Sequence, residues 1–286
     1  MPVFHDHLEQ GSASWLAFRK DKITATDIAT ICGVNPYKSP FMLWQEKLGL
    51  LESTPENEAM REGKRLEPIA LEKLNSEMGY KCVPVVVTHS DNPNFMASID
   101  GWDGRAVEIK CGTRSFQQSK EMIVPIYYQY QMQWQMYILE IGCILYYCFD
   151  GVNDNSFIVM RDQELINDMI VKANEFLEML RTITPPPYTD LDYDDKTDDE
   201  HWNSLMASYA LYDQMEKDGK LGKEHVKYCL IEAANGRNVK GNRSKFTKVI
   251  TKGRVQYDKI EALKDIDLEQ YRGEDVTSFR ITLNKD

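Results

Sequence analysis

Three ionisable residues in the stretch SIDGWDGRAVEIK have a spacing that would let them act on one bound group: Asp100, Glu108 and Lys110. In a strand, successive side chains alternate between faces, so Glu108 and Lys110 share a face. Gly101 and Gly104 mark a turn before that strand, and a hairpin brings Asp100 beside Glu108. Two crowded carboxylates repel unless a cation lies between them, and hard oxygen ligands suit Mg²⁺ or Mn²⁺. With a lysine that orients or deprotonates water or stabilises phosphate charge, the pattern indicates metal-assisted phosphodiester hydrolysis.

A second interpretation of the same residues is a plain surface hairpin. Glu108 and Lys110 would then form a solvated ion pair on the outer face of a strand. An aspartate followed eight residues later by E-x-K occurs by chance in many sequences. The choice between the two interpretations therefore depends on what the rest of the chain contains.

Composition and charge limit the class of protein. A chain of 286 residues with 42% hydrophobic residues fits one large domain, or one domain with an appendage. The net charge of −11 argues against a nucleic-acid partner, but the charges are segregated: residues 190–200 hold seven acids and one lysine, whereas residues 237–254 hold seven cations and no acid. The six cysteines form no metal-binding or disulfide pattern. With no membrane span or signal peptide in the sequence, we expect a cytoplasmic protein.

The order of predicted elements indicates an α/β fold: helices, a strand meander, a helix, two strands and a further helix around a mixed sheet. Pro68 lies inside a helical pattern and predicts a kink or a break there. Predicted helices cover Thr24 or Thr26 to Ile31, Pro40 to about Leu48, the stretch ENEAMREGKRLEPIALEKLNSEMGY, a segment opening with Pro125, and DQELINDMIVKANEFLEMLRTI; predicted strands are KCVPVVVTH, NFMASID, RAVEIKC, CILYYCFD and SFIVMR.

The segment TPPPYTDLDYDDKTDDE predicts a domain boundary, because a proline run followed by acids does not favour packing in a core. We expect a first domain over residues 1–184 and an acidic linker, more simply a spacer than a DNA mimic, over residues 185–200. Residues 201–286 are then an α+β extension. In it we expect a helix from about His201 to Asn235, a basic loop, the strand FTKVIT and the helix YDKIEALKD.

Four ordered segments resemble one known family: SASWLAFRKDKITATDIATICGVNPYKSP, REGKRLEPIA, ASIDGW with VEIKC, and YYQYQMQWQM. They are similar to the lambda-exonuclease, or YqaJ-like viral recombinase, family over roughly residues 12–183. The resemblance implies a restriction-endonuclease-like core with a D…(E)xK motif. It also implies a phage-type exonuclease that degrades one strand of double-stranded DNA from 5′ to 3′, in the bacterial host cell, with a single-strand annealing protein as partner. A homo-oligomer, often a toroidal trimer, is implied as well.

The same resemblance assigns the metal site. Asp100 and Glu108 match the metal-binding carboxylates, and the backbone carbonyl of Ile109 matches a further ligand. Lys110 matches the catalytic lysine. Glu67, in GKRLEP, matches a helix-borne acid that completes the site, although an exposed helical glutamate would fit the sequence too.

Two glutamines match the Q-x-Q that follows the hairpin in this family. Gln131 and Gln133 point about 200° apart on a helix, so only one faces the metal site. We favour Gln131, because Gln135 lies one turn later on the same face. The alternative is a polar residue on a solvated side of the helix.

Four residues match positions that hold a DNA phosphate in the family, a feature that would make the enzyme work from ends. Arg19 and Thr26 match an arginine–serine pair, with threonine in place of serine, and Ser98 matches a further hydroxyl. Arg114 matches a second arginine but lies two residues closer to Lys110 than the family pattern has it.

The basic loop of the extension would bind duplex DNA through its phosphates, or else be a solvated loop or a contact between subunits. Its cations are Arg237, Lys240, Arg243, Lys245 and Lys248. Aromatic residues at helical spacing are interpreted as core rather than as base-stacking residues: Trp15, Trp44, Tyr127, Tyr128, Trp134 and Tyr137.

Three functions fit the sequence. The first is a Mg²⁺-dependent 5′–3′ exonuclease of phage recombination. The second is a structure-specific or nicking endonuclease on the same core. The third is a non-catalytic protein that binds DNA or docks the annealing protein, and the presence of Glu67, Asp100, Glu108 and Lys110 together disfavours it.

Overall fold

The computed structural model describes residues 1–52, 57–240 and 245–247, and the chain divides into two compact units, residues 1–194 and 195–286. The first unit has the α/β class predicted from the sequence, with one mixed sheet between helices. Its strands are β1 (Val3–Phe4), β2 (Val83–Thr88), β3 (Met96–Trp102), β4 (Ala106–Cys111), β5 (Cys143–Phe149) and β6 (Asp154–Met160). Its helices are α1 (Ala13–Arg19), α2 (Ala25–Ile31), α3 (Pro40–Leu48), α4 (Glu58–Met78), α5 (Thr113–Lys120), α6 (Ile126–Leu139) and α7 (Gln163–Arg181).

The sheet runs in chain order from β1 to β6, so neighbours in sequence are neighbours in space. All adjacent pairs are antiparallel except β4 and β5, which are parallel because α5 and α6 carry the chain back across the sheet. Strand β4, which holds the predicted E-x-K, therefore lies inside the sheet with a strand on either side.

The hairpin predicted around GWDG is confirmed. Strands β3 and β4 pair with Trp102 opposite Ala106. Gly104 in the turn has φ +95°, a conformation that favours glycine, and the backbone N–H of Arg105 donates to the Asp103 carboxylate at 3.2 Å. Following the register away from the turn brings the two predicted acids of β3 and β4 beside each other.

Helix α4 is continuous, although the sequence predicted a kink or a break at Pro68. A proline removes the hydrogen bond to the carbonyl four residues earlier, that of Lys64. The helix is held instead by its apolar stripe, because Leu66, Ala70 and Leu74 are buried against one face of the sheet. Packing thus outweighs the local cost of the proline.

The other face of the sheet is covered by α2 and α6, with α3 and α7 outside them. This side contains the larger core cluster and buries most of α6. The largest fully buried side chains include Trp134, Tyr146, Phe95, Ile28 and Met132.

The first compact unit extends ten residues beyond the boundary expected at residue 184. Tyr188 packs edge-on against Phe41 at 4.6 Å between ring centroids, and the Ser39 hydroxyl donates to Asp192. Aromatic residues inside the acidic stretch give it apolar surface to bury, so the part up to Asp194 packs with the domain rather than acting as a linker. Helices α1 and α5 and strand β1 were also not predicted.

In the second unit, the described residues form α8 (Glu200–Ala234) and the strand pair β7 (Val239–Lys240) and β8 (Lys245–Phe246). The expected helix from His201 to Asn235 is confirmed by α8. Most of the expected strand FTKVIT and the whole of YDKIEALKD lie outside the described residues. In the part of the chain with described structure, no helix is long and apolar enough to cross a membrane.

A buried ion pair ties α2 to α3. The Lys47 ammonium lies 2.7 Å from the Asp27 carboxylate, and both side chains are at most 10% exposed. Burial alone would raise the pKa of Asp27, but the charges of Lys47 and Arg19 outweigh it and hold that pKa below its ordinary value. Asp27 therefore stabilises the fold above its unfolded-state pKa of about 3.9, and this stability is lost as the pH falls through the lowered folded-state pKa.

We expect Lys47→Met to reduce the free energy of unfolding at pH 7 by about 3 kcal/mol, because it leaves a buried carboxylate without its cation. Urea denaturation at pH 7 measures the loss, which should shrink in acid as Asp27 becomes protonated in both proteins. The control is Asp21→Asn, which removes an exposed partner of Lys22 at 3.4 Å and should cost less than about 1 kcal/mol. Equal stability of Lys47→Met and wild type at pH 7 would contradict this account of the pair.

Candidate active site

The carboxylate of Glu108 is fully buried in the middle of the sheet and is surrounded by donors. Its Oε1 lies 2.5 Å from the Lys110 ammonium and accepts from the Gln131 amide at 2.6 Å. Its Oε2 accepts from the Gln135 amide at 2.5 Å. A buried carboxylate is costly unless it is paired and hydrogen-bonded, so these three donors are what make Glu108 tolerable at this position.

Lys110 lies on the same face of β4 as Glu108, as strand alternation predicted, and its side chain is 19% exposed. Burial alone would lower the pKa of Lys110, but the carboxylates of Glu108 and Asp100 outweigh it and raise that pKa. The ammonium also lies 4.5 Å from the centroid of the Tyr128 ring. Lys110 is therefore a cation at neutral pH, suited to holding an anionic phosphate or orienting a water.

The two other acids lie close to this pair. Asp100 accepts a hydrogen bond from the backbone N–H of Ile109 at 2.8 Å. Burial, and then the charge of Glu108, raise the pKa of Asp100 well above its ordinary value despite Lys110. The half-buried Glu67 of α4 has a pKa raised by burial and by Glu108, with Lys110 opposing. The three carboxylates thus repel one another around one lysine.

The donors fit a divalent cation by their chemistry, because they are carboxylate oxygens whose mutual repulsion a cation would offset. As placed, no three His, Cys, Asp or Glu side chains among the described residues are close enough to hold an ion. Glu108 is neutralised by Lys110 instead. A cation at Glu108 would therefore compete with Lys110 for the same oxygen.

The structure separates the two glutamines of the Q-x-Q. Gln131 faces Glu108, whereas the Gln133 amide donates to the Met160 carbonyl at 2.8 Å and accepts from the Asp162 backbone N–H at 2.8 Å. Gln133 thus connects α6 to the segment between β6 and α7. It can do so because Gln131 and Gln133 point in different directions from the helix.

Gln135 is a site residue that was absent from the catalytic set assigned from the sequence. Its amide nitrogen donates to Glu108 and also to the backbone carbonyl of Ser98 at 3.1 Å, and the side chain is fully buried. Its Oε1 is buried without a hydrogen-bond partner in the described structure. The sequence signal was its i, i+4 spacing from Gln131, which indicated a shared face but not the second contact.

Three of the predicted phosphate-binding residues form one cluster. Arg19 donates to the Thr26 hydroxyl at 3.1 Å and stacks over the Trp15 ring at 4.5 Å. The Trp15 indole N–H donates to the Ser98 hydroxyl at 3.0 Å. Since the Ser98 carbonyl also accepts from Gln135, the cluster is connected to Glu108 through hydrogen bonds. The sequence indicates a core position for Trp15, whereas the structure places it between Arg19 and Ser98 in this cluster.

The remaining predicted phosphate contacts are Arg114 and the cations of the extension. Arg114 is exposed on α5 and makes no hydrogen bond or ion pair with described residues, although its charge affects the pKa of Tyr127. Arg237 is exposed after α8, and the backbones of Lys240 and Lys245 pair between β7 and β8. Two further predicted cations lie outside the described residues: Arg243 and Lys248.

Part of the chain is similar to known proteins. Residues 14–141 match the model of the YqaJ-like viral recombinase domain. The protein YqaJ of Bacillus subtilis is 30% identical over 181 residues, which cover 60% of this chain and 56% of that protein. Protein R354 of Acanthamoeba polyphaga mimivirus is 30% identical over 153 residues, covering 46% of this chain and 27% of that protein. The chain thus spans between about a quarter and just over half of these relatives.

Among solved structures, the alkaline exonuclease LHK-Exo from Laribacter hongkongensis is similar, with 25% sequence identity and a TM-score of 0.52. The match covers 60% of this chain and 93% of that enzyme. The same similarity is found with LHK-Exo in complex with dAMP. The match leaves a large share of this chain without a counterpart in that enzyme.

Proposed function

We propose that the protein is a metal-dependent exonuclease acting on linear double-stranded DNA, because residues 14–141 match the model of the YqaJ-like viral recombinase domain. The similar LHK-Exo is an alkaline exonuclease, and the proposal carries that activity over to this chain. The finer features are Mg²⁺ as the metal, with Mn²⁺ as a substitute, and degradation from 5′ to 3′. A single-strand annealing protein as partner and a homo-oligomer belong to the same proposal.

One observation carries the proposal: the cationic Lys110 and two further carboxylates, those of Glu67 and Asp100, lie near the buried, hydrogen-bonded Glu108 and interact with it electrostatically. A merely structural ion pair needs one acid. Glu67 and Asp100 add negative charge beyond what the ion pair of Glu108 and Lys110 needs, and burying excess charge is costly. Such excess is typical of sites that bind a divalent cation.

The metal would be held by Glu67, Asp100, Glu108 and the Ile109 carbonyl, and when bound it would polarise the scissile phosphate. Lys110 keeps its proton and supplies positive charge to the phosphate or orients the attacking water at its ammonium. Gln131 and Gln135 hold the Glu108 carboxylate from two sides, so its oxygens keep a fixed direction. Metal sites in general need hydrogen-bonding partners that hold their ligands in a fixed orientation.

The cluster of predicted phosphate-binding residues would give the enzyme its preference for DNA ends. Arg19, Thr26 and Ser98 present a guanidinium and two hydroxyls, which are donors for phosphate oxygens. A terminal phosphate bound there would position the strand relative to Lys110. An internal phosphate has chain on both sides and does not present the same oxygens.

The test compares linear duplex DNA with the same DNA as a covalently closed circle, in Mg²⁺ and in EDTA. We expect nucleotides to be released from the linear DNA only, and only in Mg²⁺. Cleavage of the circle would favour the second candidate, a structure-specific or nicking endonuclease on the same core. Absence of hydrolysis on every substrate would favour the third, a non-catalytic DNA-binding or annealer-docking protein. Strand polarity is measured by labelling the 5′ or the 3′ end.

Gln135 gives a separate prediction within this mechanism. Gln135→Met keeps the volume but removes the donor to Glu108 Oε2, and hydrogen bonds to charged groups contribute about 1.5–3 kcal/mol. We expect kcat to fall about 10- to 100-fold with little change in KM. Gln133→Met is the matched control on the same helix, and it should lower the melting temperature without lowering kcat. A Gln135→Met enzyme with wild-type kcat would show that Gln135 does not position Glu108.

A further inference from the structure

Three tyrosine rings form a continuous row that ends at the site lysine. The ring centroids of Tyr37 and Tyr127 are 6.0 Å apart, and those of Tyr127 and Tyr128 are 4.4 Å apart. The Lys110 ammonium lies 4.5 Å from the Tyr128 centroid. The outer member, Tyr37, is 70% exposed. The row therefore leads from the surface to the phosphate-handling group of the proposed active site.

The exposed end of this row is held in place by the loop that carries it. Tyr37 lies between α2 and α3, and its backbone N–H donates to the Asn35 side chain at 2.9 Å. The amide of Asn35 donates in turn to the hydroxyl of the buried Thr30 at 2.8 Å. Because Asn35 anchors the loop to α2, the ring of Tyr37 is presented to solvent at a defined position rather than on a free tail.

The charges around the row favour a polyanion. Lys110 lies at its inner end, and Arg114 lies near enough to Tyr127 to affect the pKa of its hydroxyl. Burial, and then Tyr128 and Tyr37, raise the pKa of Tyr127 to about 12. That hydroxyl is therefore neutral at pH 7 and does not repel phosphates. Flat rings flanked by cations match a strand in which flat bases alternate with phosphates.

We propose that Tyr37, Tyr127 and Tyr128 form a stacking surface for unpaired bases of the DNA strand that enters the site at Lys110. This assignment rests on the proposed nuclease function and specifies how that site takes its substrate. The rings bind bases of any identity, because every base has a π-face. They hold the strand in a single-stranded form next to the lysine, while Arg19, Thr26 and Ser98 contact phosphate. The sequence indicates that Tyr127 and Tyr128 are core residues, but both are only partly buried, in contrast to the fully buried Trp134.

The test measures binding of the full chain in EDTA, so that no strand is hydrolysed. The probe is a linear duplex with a short 5′ overhang, carrying either normal or abasic nucleotides, followed by fluorescence anisotropy. We expect Tyr37→Ala to weaken binding of the normal overhang about 10-fold, because stacking on one aromatic ring contributes on that scale. On the abasic overhang, Tyr37→Ala should bind like the wild type. Tyr37→Trp should restore the affinity for the normal overhang.

Tyr193→Ala is the matched control, because Tyr193 is 67% exposed in the same compact unit and packs on Tyr188 rather than on the row. It should leave both affinities unchanged. An equal loss on normal and abasic overhangs, or wild-type affinity of Tyr37→Ala, would overturn the stacking surface. Hydrolysis of linear DNA in Mg²⁺ is measured separately on the wild type. Active wild-type enzyme with no base-dependent loss in Tyr37→Ala overturns only the stacking surface, whereas an inactive wild type overturns the nuclease.

Discussion

Lys110→Met is expected to lower kcat for hydrolysis of linear duplex DNA about 10³-fold, with the fold retained. The substitution keeps an unbranched apolar side chain beside Tyr128 and removes the positive charge of the ammonium group. A preorganised cation or donor at a reacting phosphate contributes about 10²- to 10³-fold or more to the rate. Gln131 and Gln135 still donate to the Glu108 carboxylate in the variant, so the buried acid keeps two of its partners.

The control for this prediction is Lys120→Met, a change of an exposed lysine on α5 whose ammonium lies 5.6 Å from the Phe116 ring centroid. Its kcat should equal that of the wild type. Circular dichroism and the melting temperature of Lys110→Met show whether the variant is folded. A folded Lys110→Met enzyme with more than a tenth of the wild-type kcat would remove Lys110 from the mechanism.

The second large effect is expected for Asp100→Asn, which should reduce the rate of DNA hydrolysis in Mg²⁺ by about 10³-fold. The asparagine oxygen can still accept from the Ile109 N–H, so the hairpin keeps its local hydrogen bond. What is lost is one of three negative charges, and hard cations bind carboxylates far better than amides. Since the pKa of Asp100 is raised by burial and by Glu108, removing its charge relieves repulsion in the absence of metal. The melting temperature without metal should therefore stay the same or rise.

Asp103→Asn supplies the matched control in the same hairpin. Asp103 lies in the turn and pairs with Arg105, away from Glu108, so this change should leave the rate of hydrolysis unaltered. A drop in activity of similar size in both variants would indicate that the hairpin as a whole was damaged. Near-normal activity of Asp100→Asn would exclude Asp100 as a metal ligand.

The part of the site that lies within one hairpin was predictable from the sequence. Side-chain alternation puts Glu108 and Lys110 on one face, and the turn at Gly104 sets the register that brings Asp100 near them. Glu67 comes from α4, far away in sequence, and no local rule brings it to the hairpin. Only the resemblance to a known family indicated that it belongs with the other acids.

The contacts that depend on packing were not predictable. Gln135 reaches both Glu108 and the Ser98 carbonyl because α6 lies across β3 and β4, and the helical pattern indicates only which residues share its face. Trp15 comes from α1, which had no clear sequence signal, and its contact with Ser98 arises from the tertiary fold. The row from Tyr37 likewise depends on a loop position set by Asn35.

The most direct test of the central claim is a calorimetric titration of Mn²⁺ into the wild type, Asp100→Asn and Lys110→Met. If three carboxylates and Lys110 share one cation site, Asp100→Asn should bind Mn²⁺ at least about 10-fold more weakly than the wild type. Lys110→Met should bind it as tightly or more tightly, because the competing ammonium at Glu108 is gone. Absence of Mn²⁺ binding by the wild type, or undiminished binding by Asp100→Asn, would contradict the account.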